Sequence, residues 1–350
     1  MAYTTIDDPE EYFNTVVFTG DVVDGDGTYH DQAVTGVGFQ PDLLWHKGVT
    51  GARPHYIVDS VRGQGGDPTE MKHLSSSAHI AETTTNTNGH IKSLDSDGWT
   101  AVSGNDSSSR ANNSCLNGEK YVGWCWKEDA TAGFDIVSWT VPASGSTTIS
   151  HSLSAVPKMI ISKCTDTDNT DWETYHNGIG NANTIQLNTT AASGDNNAYN
   201  DTDPTSSVFS ITTAGFGANR AMISYLFADV KGYSKFGKYT GNGNVDGAFV
   251  YTGFRPAWLL IKNTSSTSDW NMRDSTRGDW PPGNTRQWIL LANTSAAQTT
   301  SSSYAIDLLS NGFKCRSTIN NENTSGDTYI YMAFAEAPFV NSEGVPGTSR

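Results

Sequence analysis

The 350-residue sequence predicts an all-β protein of three tandem antiparallel β-sandwiches of jelly-roll type. Three observations carry this. Ser, Thr, Asn and Gly supply most of the polarity while charged residues make up only 17%, a mix that suits short strands and turns better than surface helices. The apolar runs, such as "WLLIK" and "QWILLAN", are four to six residues long and bounded by turn signals like "SNG", "TNG" and "SDG". A set of five landmarks also recurs three times in the same order.

The first landmark is an aromatic strand: near Phe18 in "VVFTG", near Trp139 in "IVSWT" and near Tyr239 in "GKYTG". The second is a proline six residues before a lysine: Pro41 to Lys47, Pro157 to Lys163 and Pro256 to Lys262. The third is Arg-Gly or its remnant, ending at Gly63, Gly180 and Gly278, which lies 22, 23 and 22 residues past the proline. Arg62 and Arg277 follow Asp59 and Asp274 by three residues, which predicts local Asp–Arg pairs; the middle copy lacks both. Next comes a Gly-aromatic step at Trp99, Phe216 and Phe313. Each copy closes on "YVGWCW", "MISYLF" or "YIYMAF". The implied division is an arm over 1–12, units over 13–128, 134–232 and 236–340, and a tail over 341–350. Each proline marks the start of an inner strand, where its missing N–H costs little, and each lysine marks the strand's return to water. Trp258, in "GFRPAWLLIK", is therefore expected in a core.

Composition also narrows function. The net charge of −15 is opposite in sign to a nucleic-acid-binding surface, and no apolar window reaches membrane-spanning length. The beginning, "MAYTTIDDPEEYF", is acidic where a leader is basic and then apolar, so synthesis and folding in a cytoplasm are expected. Cys115, Cys125, Cys164 and Cys315 form no CxxC pair and read as free thiols.

No HExxH, GxSxG or phosphate-loop motif is present, and "TGNGNVDG" reads as a hairpin. Six histidines in the first unit lack metal-site spacing. The acidic loops "DVVDGDG" (21–27) and "DTDNTD" (166–171) read as solvated turns, with Ca2+ as the candidate cofactor if they bind anything. No catalytic or metal-ligating residue is assigned. Glycosidase chemistry needs two carboxylates facing one cleft, and Asp59, Asp97, Asp274 and Asp307 are the candidates. Trp172 and Trp270, together with the preceding Asp171 and Asp269, are the candidate ligand-binding residues, since exposed indoles stack on sugar rings; the competing reading places the indoles in the core. The loop "NTSSTSDW" after Lys262 and its counterparts are the expected recognition loops.

The opening "MAYTTIDDPEEYF", with "YTGNG", "GFRPAWLLIK" and "DSTRG" further on, resembles a family of phage structural proteins frequent in cyanophages and other aquatic phages. Their units are similar to the concanavalin-A-like lectin sandwich. The resemblance covers the whole chain and is weakest in the middle unit. It implies a non-enzymatic virion protein, tail-fibre-like or head-decorating, whose partners are other virion proteins and host surface glycans. No catalytic residue carries over. The alternatives are a polysaccharide depolymerase and a cellular lectin or adhesin. Three units in one chain imply either a pseudo-threefold body or separate beads, the resemblance to phage appendages adds a homotrimer, and residues 1–12 read as a docking arm.

Overall fold

The structure, a computed structural model, describes residues 4–22, 28–65, 70–84, 87–104, 113–277 and 284–346. Most of the first acidic loop and Gly278 lie outside the described residues. Among these residues the chain is strand-rich, and its one α-helix is a single turn, Thr213–Phe216.

Three main antiparallel sheets share one strand order. In the first, Phe13–Thr19 pairs with Lys120–Trp126, which pairs with Leu43–Gly48, which pairs with His55–Asp59. In the second, the order is Phe134–Thr140, Ala221–Phe227, Met159–Cys164 and Glu173–His176. In the third, it is Ser234–Thr240, Thr328–Pro338, Phe254–Asn263 and Trp270–Asp274. The opening and closing landmark strands are therefore neighbours within each segment of the chain. Register also matches: Leu43 faces Trp126, Met159 faces Phe227 and Trp258 faces Phe334.

A smaller sheet accompanies each main one. The first has Asp31–Thr35, Gly98–Val102 and His90–Asp95. The second has Ser146–Ser150 and Val208–Thr212. The third has Phe249–Tyr251, Gly312–Cys315, Ile306–Leu309 and Thr285–Arg286. The glycine of the Gly-aromatic step has a steric cause here: a Cβ on Gly98 or Gly312 would lie 1.9 or 2.0 Å from the carbonyl oxygen of Val34 or Val250.

The strands after the prolines are buried on both faces, which is why their apolar runs do not alternate. One face packs on the segment's own small sheet: Leu44 with Val58 and Trp99, Ile160 with Phe209 and Leu226, Leu259 and Ile261 with Phe313. The other face enters a core common to all three segments: Leu43 and Trp45, Met159 and Ile161, Trp258 and Leu260. At its centre Trp126, Phe227 and Phe334 touch pairwise, with ring centroids 5.7 to 6.4 Å apart. Trp258 is buried as expected, but in this common core.

Two expectations are corrected. Lys47, Lys163 and Lys262 do not return to water; all three are fully buried. Residues 4–12 are not a free arm, because Ile6 is buried in the common core and Pro9 is buried. Asp7 Oδ1 accepts the backbone N–H of Ser342 at 2.7 Å, so this stretch meets the one that follows the last main strand. The prolines behave as read for Pro41 and Pro157, just ahead of their strands. Pro256 instead sits inside its strand, at a break in register where no ladder donor is required.

Candidate functional site at the meeting of the three segments

The landmark residues converge where the three segments meet. Two sets of contacts, from the ring N–H donors and from backbone N–H groups, run round the three segments in a closed cycle.

The candidate indoles come first. Trp172 and Trp270 are buried, so neither offers a face to a sugar. The Trp172 indole N–H donates to Ser75 O of the first segment at 3.0 Å, and that of Trp270 donates to Gln186 O of the second at 2.9 Å. The position 14 residues past Pro41 is His55. Its Nε2 meets Leu291 O at 3.1 Å and Thr294 O at 3.0 Å in the third segment. His55 Nδ1 accepts the Trp45 indole N–H at 2.8 Å, which places the imidazole proton on Nε2 as a donor. Burial, then Lys47, lowers its pKa to about 3. The stacking role is thereby overturned: these rings reach from segment to segment.

Asp171 and Asp269 support that arrangement. Asn188 Nδ2 donates to Asp171 Oδ1 and Asn293 Nδ2 to Asp269 Oδ1, both at 2.8 Å. The same two amides accept the backbone N–H of Trp172 at 2.9 Å and of Trp270 at 3.0 Å. Each Asp–Asn pair thus fixes an indole's backbone.

The lysines explain their own presence. Lys47 Nζ donates to Gly48 O at 3.0 Å and to Ser295 O of the third segment at 3.2 Å. Lys262 Nζ donates to Ser268 O and to Thr190 O of the second segment, the latter at 3.0 Å. Lys163 stays within its segment, on Thr170 O at 2.8 Å and Thr170 Oγ1 at 2.6 Å. Burial, aided by Arg277 and Arg53, lowers Lys47 to about 7. Burial lowers Lys163 and Lys262 to about 8.

Two residues past each lysine, a carbonyl accepts a backbone N–H from a neighbouring segment. Gln298 N donates to Val49 O at 2.8 Å, Ser193 N to Thr264 O at 3.2 Å and Glu82 N to Thr165 O at 2.9 Å. The loop "NTSSTSDW" takes part in a junction: Thr264 and Ser268 are buried, and Ser268 N donates to Thr190 O at 2.8 Å, while Ser265 and Thr267 are exposed.

The Asp–Arg pairs form as read, and they also reach across. Arg62 Nε lies 2.6 Å from Asp59 Oδ2, and Arg277 Nε lies 2.5 Å from Asp274 Oδ2. Tyr225 OH, from the second segment, donates to Asp59 Oδ2 at 2.7 Å. The Trp124 indole, from the first, donates to Asp274 Oδ2 at 3.1 Å. In the middle segment His176 replaces the aspartate: it faces Met159 as Asp59 faces Leu43. Its Nε2 meets Tyr331 O of the third segment at 3.2 Å. The third segment offers Met332, opposite Leu260, where the others offer Tyr225 and Trp124. The missing aspartate and the missing donor thus belong to the same junction.

The junction holds little free space. A cavity of about 20 Å³, lined by Leu43, Trp45, Ile161, Trp172, Phe227 and Met332 among others, has room for about one water. The four carboxylates considered for glycoside chemistry lie in separate bonding sets: Asp59 and Asp274 as above, Asp97 on Gly36 N and Gly38 N, and Asp307 on Thr285 and Arg316. The aspartates of "DTDNTD" accept protein donors: Asp166 from Ala221 N, Asp168 from Ala81 N and Asp171 from Asn188. Among the described residues no three His, Cys, Asp or Glu are grouped to hold a metal ion. The four cysteines are buried and none forms a disulfide. No described helix is long and apolar enough to cross a membrane.

The sequence marks Asn188 and Asn293 only as heads of Asn-x-Ser/Thr triplets expected from composition, and offers no signal for the roles of His55 and Tyr225.

No curated protein and no solved structure matches this chain. A family model described as "Domain of unknown function (DUF7483)" matches residues 8–338, from the packed N-terminal stretch to the end of the last main strand. The chain belongs to the DUF7483 family.

Proposed function

We propose that the chain is a rigid, non-enzymatic structural protein of a phage particle, exposed on head or tail. In this reading the three segments are jelly-roll sandwiches of concanavalin-A-like type, closed into a pseudo-threefold body that matches a threefold partner among the other virion proteins. The carrying observation is the closed cycle of contacts. Val49, Thr264 and Thr165 each accept an N–H from a neighbouring segment, and a ring has no free end at which the segments could swing as beads. Such closure suits a part that must keep its shape under load. The resemblance of the opening and of "GFRPAWLLIK" to phage structural proteins supplies the setting.

The separation of the four carboxylates favours this reading over a depolymerase, whose mechanism needs two of them across one cleft. The N-terminal stretch enters differently from the sequence expectation: with Ile6 in the core, attachment falls to the outer surface. The test is to purify particles from a host carrying the gene and locate the protein by mass spectrometry and an electron-microscopy map. A fixed copy number at threefold positions is expected. Absence from washed particles contradicts the reading.

A further inference from the structure

The large apolar side chains are nearly all inside, so the exceptions carry information. Two stand together on the strand Phe249–Tyr251, where Phe249 is 47% and Tyr251 55% exposed. Val250 between them is buried in the third segment's own core. Side chains alternate along a strand, so both rings point outward from the same face, about 7 Å apart at roughly 3.4 Å per residue.

The strand is the edge of its sheet and pairs only with Gly312–Cys315. The other segments' small sheets have edges too, and these are polar or small: Asp31, Ala33 and Thr35 are exposed in one, Ser146, Thr148 and Ser150 in the other. The three segments agree in their cores and junctions but differ here.

Their surroundings narrow the occupant. Across the sheet Phe249 faces Lys314, and Lys314 faces Asp307. Lys314 Nζ lies 2.7 Å from Asp246 Oδ1, Arg316 Nη1 3.1 Å from the same oxygen, and Arg316 Nε 2.6 Å from Asp307 Oδ2. Two carboxylates balance two cations, so the patch has no net charge with which to attract an ion. It does hold donors and acceptors side by side, and the Asp246 side chain is 73% exposed. Opposite Tyr251 stands Gly312, and the Phe249 ring lies against that glycine, 3.2 Å from where a Cβ would stand. Aromatic faces beside mixed donors and acceptors complement a sugar, with its apolar C–H face and its hydroxyls.

We propose that Phe249 and Tyr251 form a platform for a neutral saccharide, whose hydroxyls Lys314, Arg316 and Asp246 hydrogen-bond. This gives the adhesion of the proposed virion protein a location, and rests on that reading only for the source of the glycan. One open platform implies weak affinity, raised on a particle by many copies.

The test is NMR titration of the purified full chain with neutral gluco-, galacto-, manno- and rhamno-oligosaccharides, alongside the F249A/Y251A and F249Y/Y251F variants. Both residues are half exposed, so the melting temperature should barely change. The expected result is binding to at least one neutral oligosaccharide, weakened at least about tenfold in F249A/Y251A and kept in F249Y/Y251F. Three results would overturn the proposal: no neutral oligosaccharide binds; F249A/Y251A folds and binds as well as the parent; or only anionic saccharides bind and salt abolishes it. Self-association lost in F249A/Y251A would assign the platform to a second copy instead and would equally overturn it. Particle location is not a readout here, so this proposal and the virion reading can fail separately.

Discussion

The phenol of Tyr225 donates to Asp59 Oδ2 at 2.7 Å, across 166 residues of chain and from one segment to another. Both groups are buried, and burial pushes the phenol well above its ordinary pKa, so it remains a neutral donor. Asp59 thereby joins its loop, through Arg62, to the neighbouring segment. Trp124 and Asp274 make the corresponding link between another pair of segments.

Tyr225→Phe should lower stability by about 1–3 kcal/mol, because a buried carboxylate loses one donor and keeps the other. Asp59→Asn should cost more, about 3–5 kcal/mol, since the buried Arg62 then keeps only its longer ion pair to Glu82, at 3.6 Å. Equilibrium denaturation checks both. Equal, small effects would mean that the pair is not buried as described.

Trp270→Phe removes the indole N–H that reaches Gln186 O. Stability should fall by about 1–3 kcal/mol while saccharide binding at the Phe249–Tyr251 platform stays unchanged. Lost binding with unchanged stability would restore the ligand-stacking role.

The buried lysines predict a pH signature. Lys47 near 7, and Lys163 and Lys262 near 8, lie below the ordinary 10.5. Between those values the unfolded chain binds more protons than the folded one, so stability rises with pH. The cost of burying the charged forms is in full force below the folded pKa values. The useful window is pH 7 to 9, since the raised Cys125, Cys315 and tyrosine groups act in the opposite sense only above it. Denaturation midpoints should climb across that window, and Lys47→Met should flatten the climb. A flat or falling profile in the parent would contradict the lowering of these lysines by burial.

Acid should act through histidine. Burial lowers His46 and His55 to about 3, and His73 and His176 to about 4. Depressed imidazole values mean that the unfolded chain gains protons first, so stability falls as pH drops below 6.5. Glu128, raised to about 7 by burial and then Asp135, works the other way, but it is one group against four. His176→Gln should show a shallower loss between pH 6.5 and 5 in denaturation experiments, and an identical loss would remove His176 from the account.

The sequence carried much of this fold because the repeat landmarks answer to steric and register needs. Gly98 and Gly312 mark a strand passing too close for a Cβ, and the proline strands show continuous apolar runs because two cores cover them. The junctions were harder to read. A lysine after an apolar run looks like a strand end, and only the neighbouring segment's carbonyls show why Lys47 and Lys262 stay inside. Asp-Trp looks like a sugar shelf until Asn188 and Asn293, 16 and 23 residues on, are seen holding its backbone. Phe249 and Tyr251 were invisible for a different reason: a three-residue strand has too short a pattern to tell which residues face water.

The central claim is that three segments close into one body around a common core. Differential scanning calorimetry of the intact chain tests it most directly. The account predicts a single transition whose calorimetric and van't Hoff enthalpies agree, and which moves as a whole in Trp258→Ala, costing about 3–5 kcal/mol. Separate transitions for the three segments, with Trp258→Ala shifting only one, would contradict it.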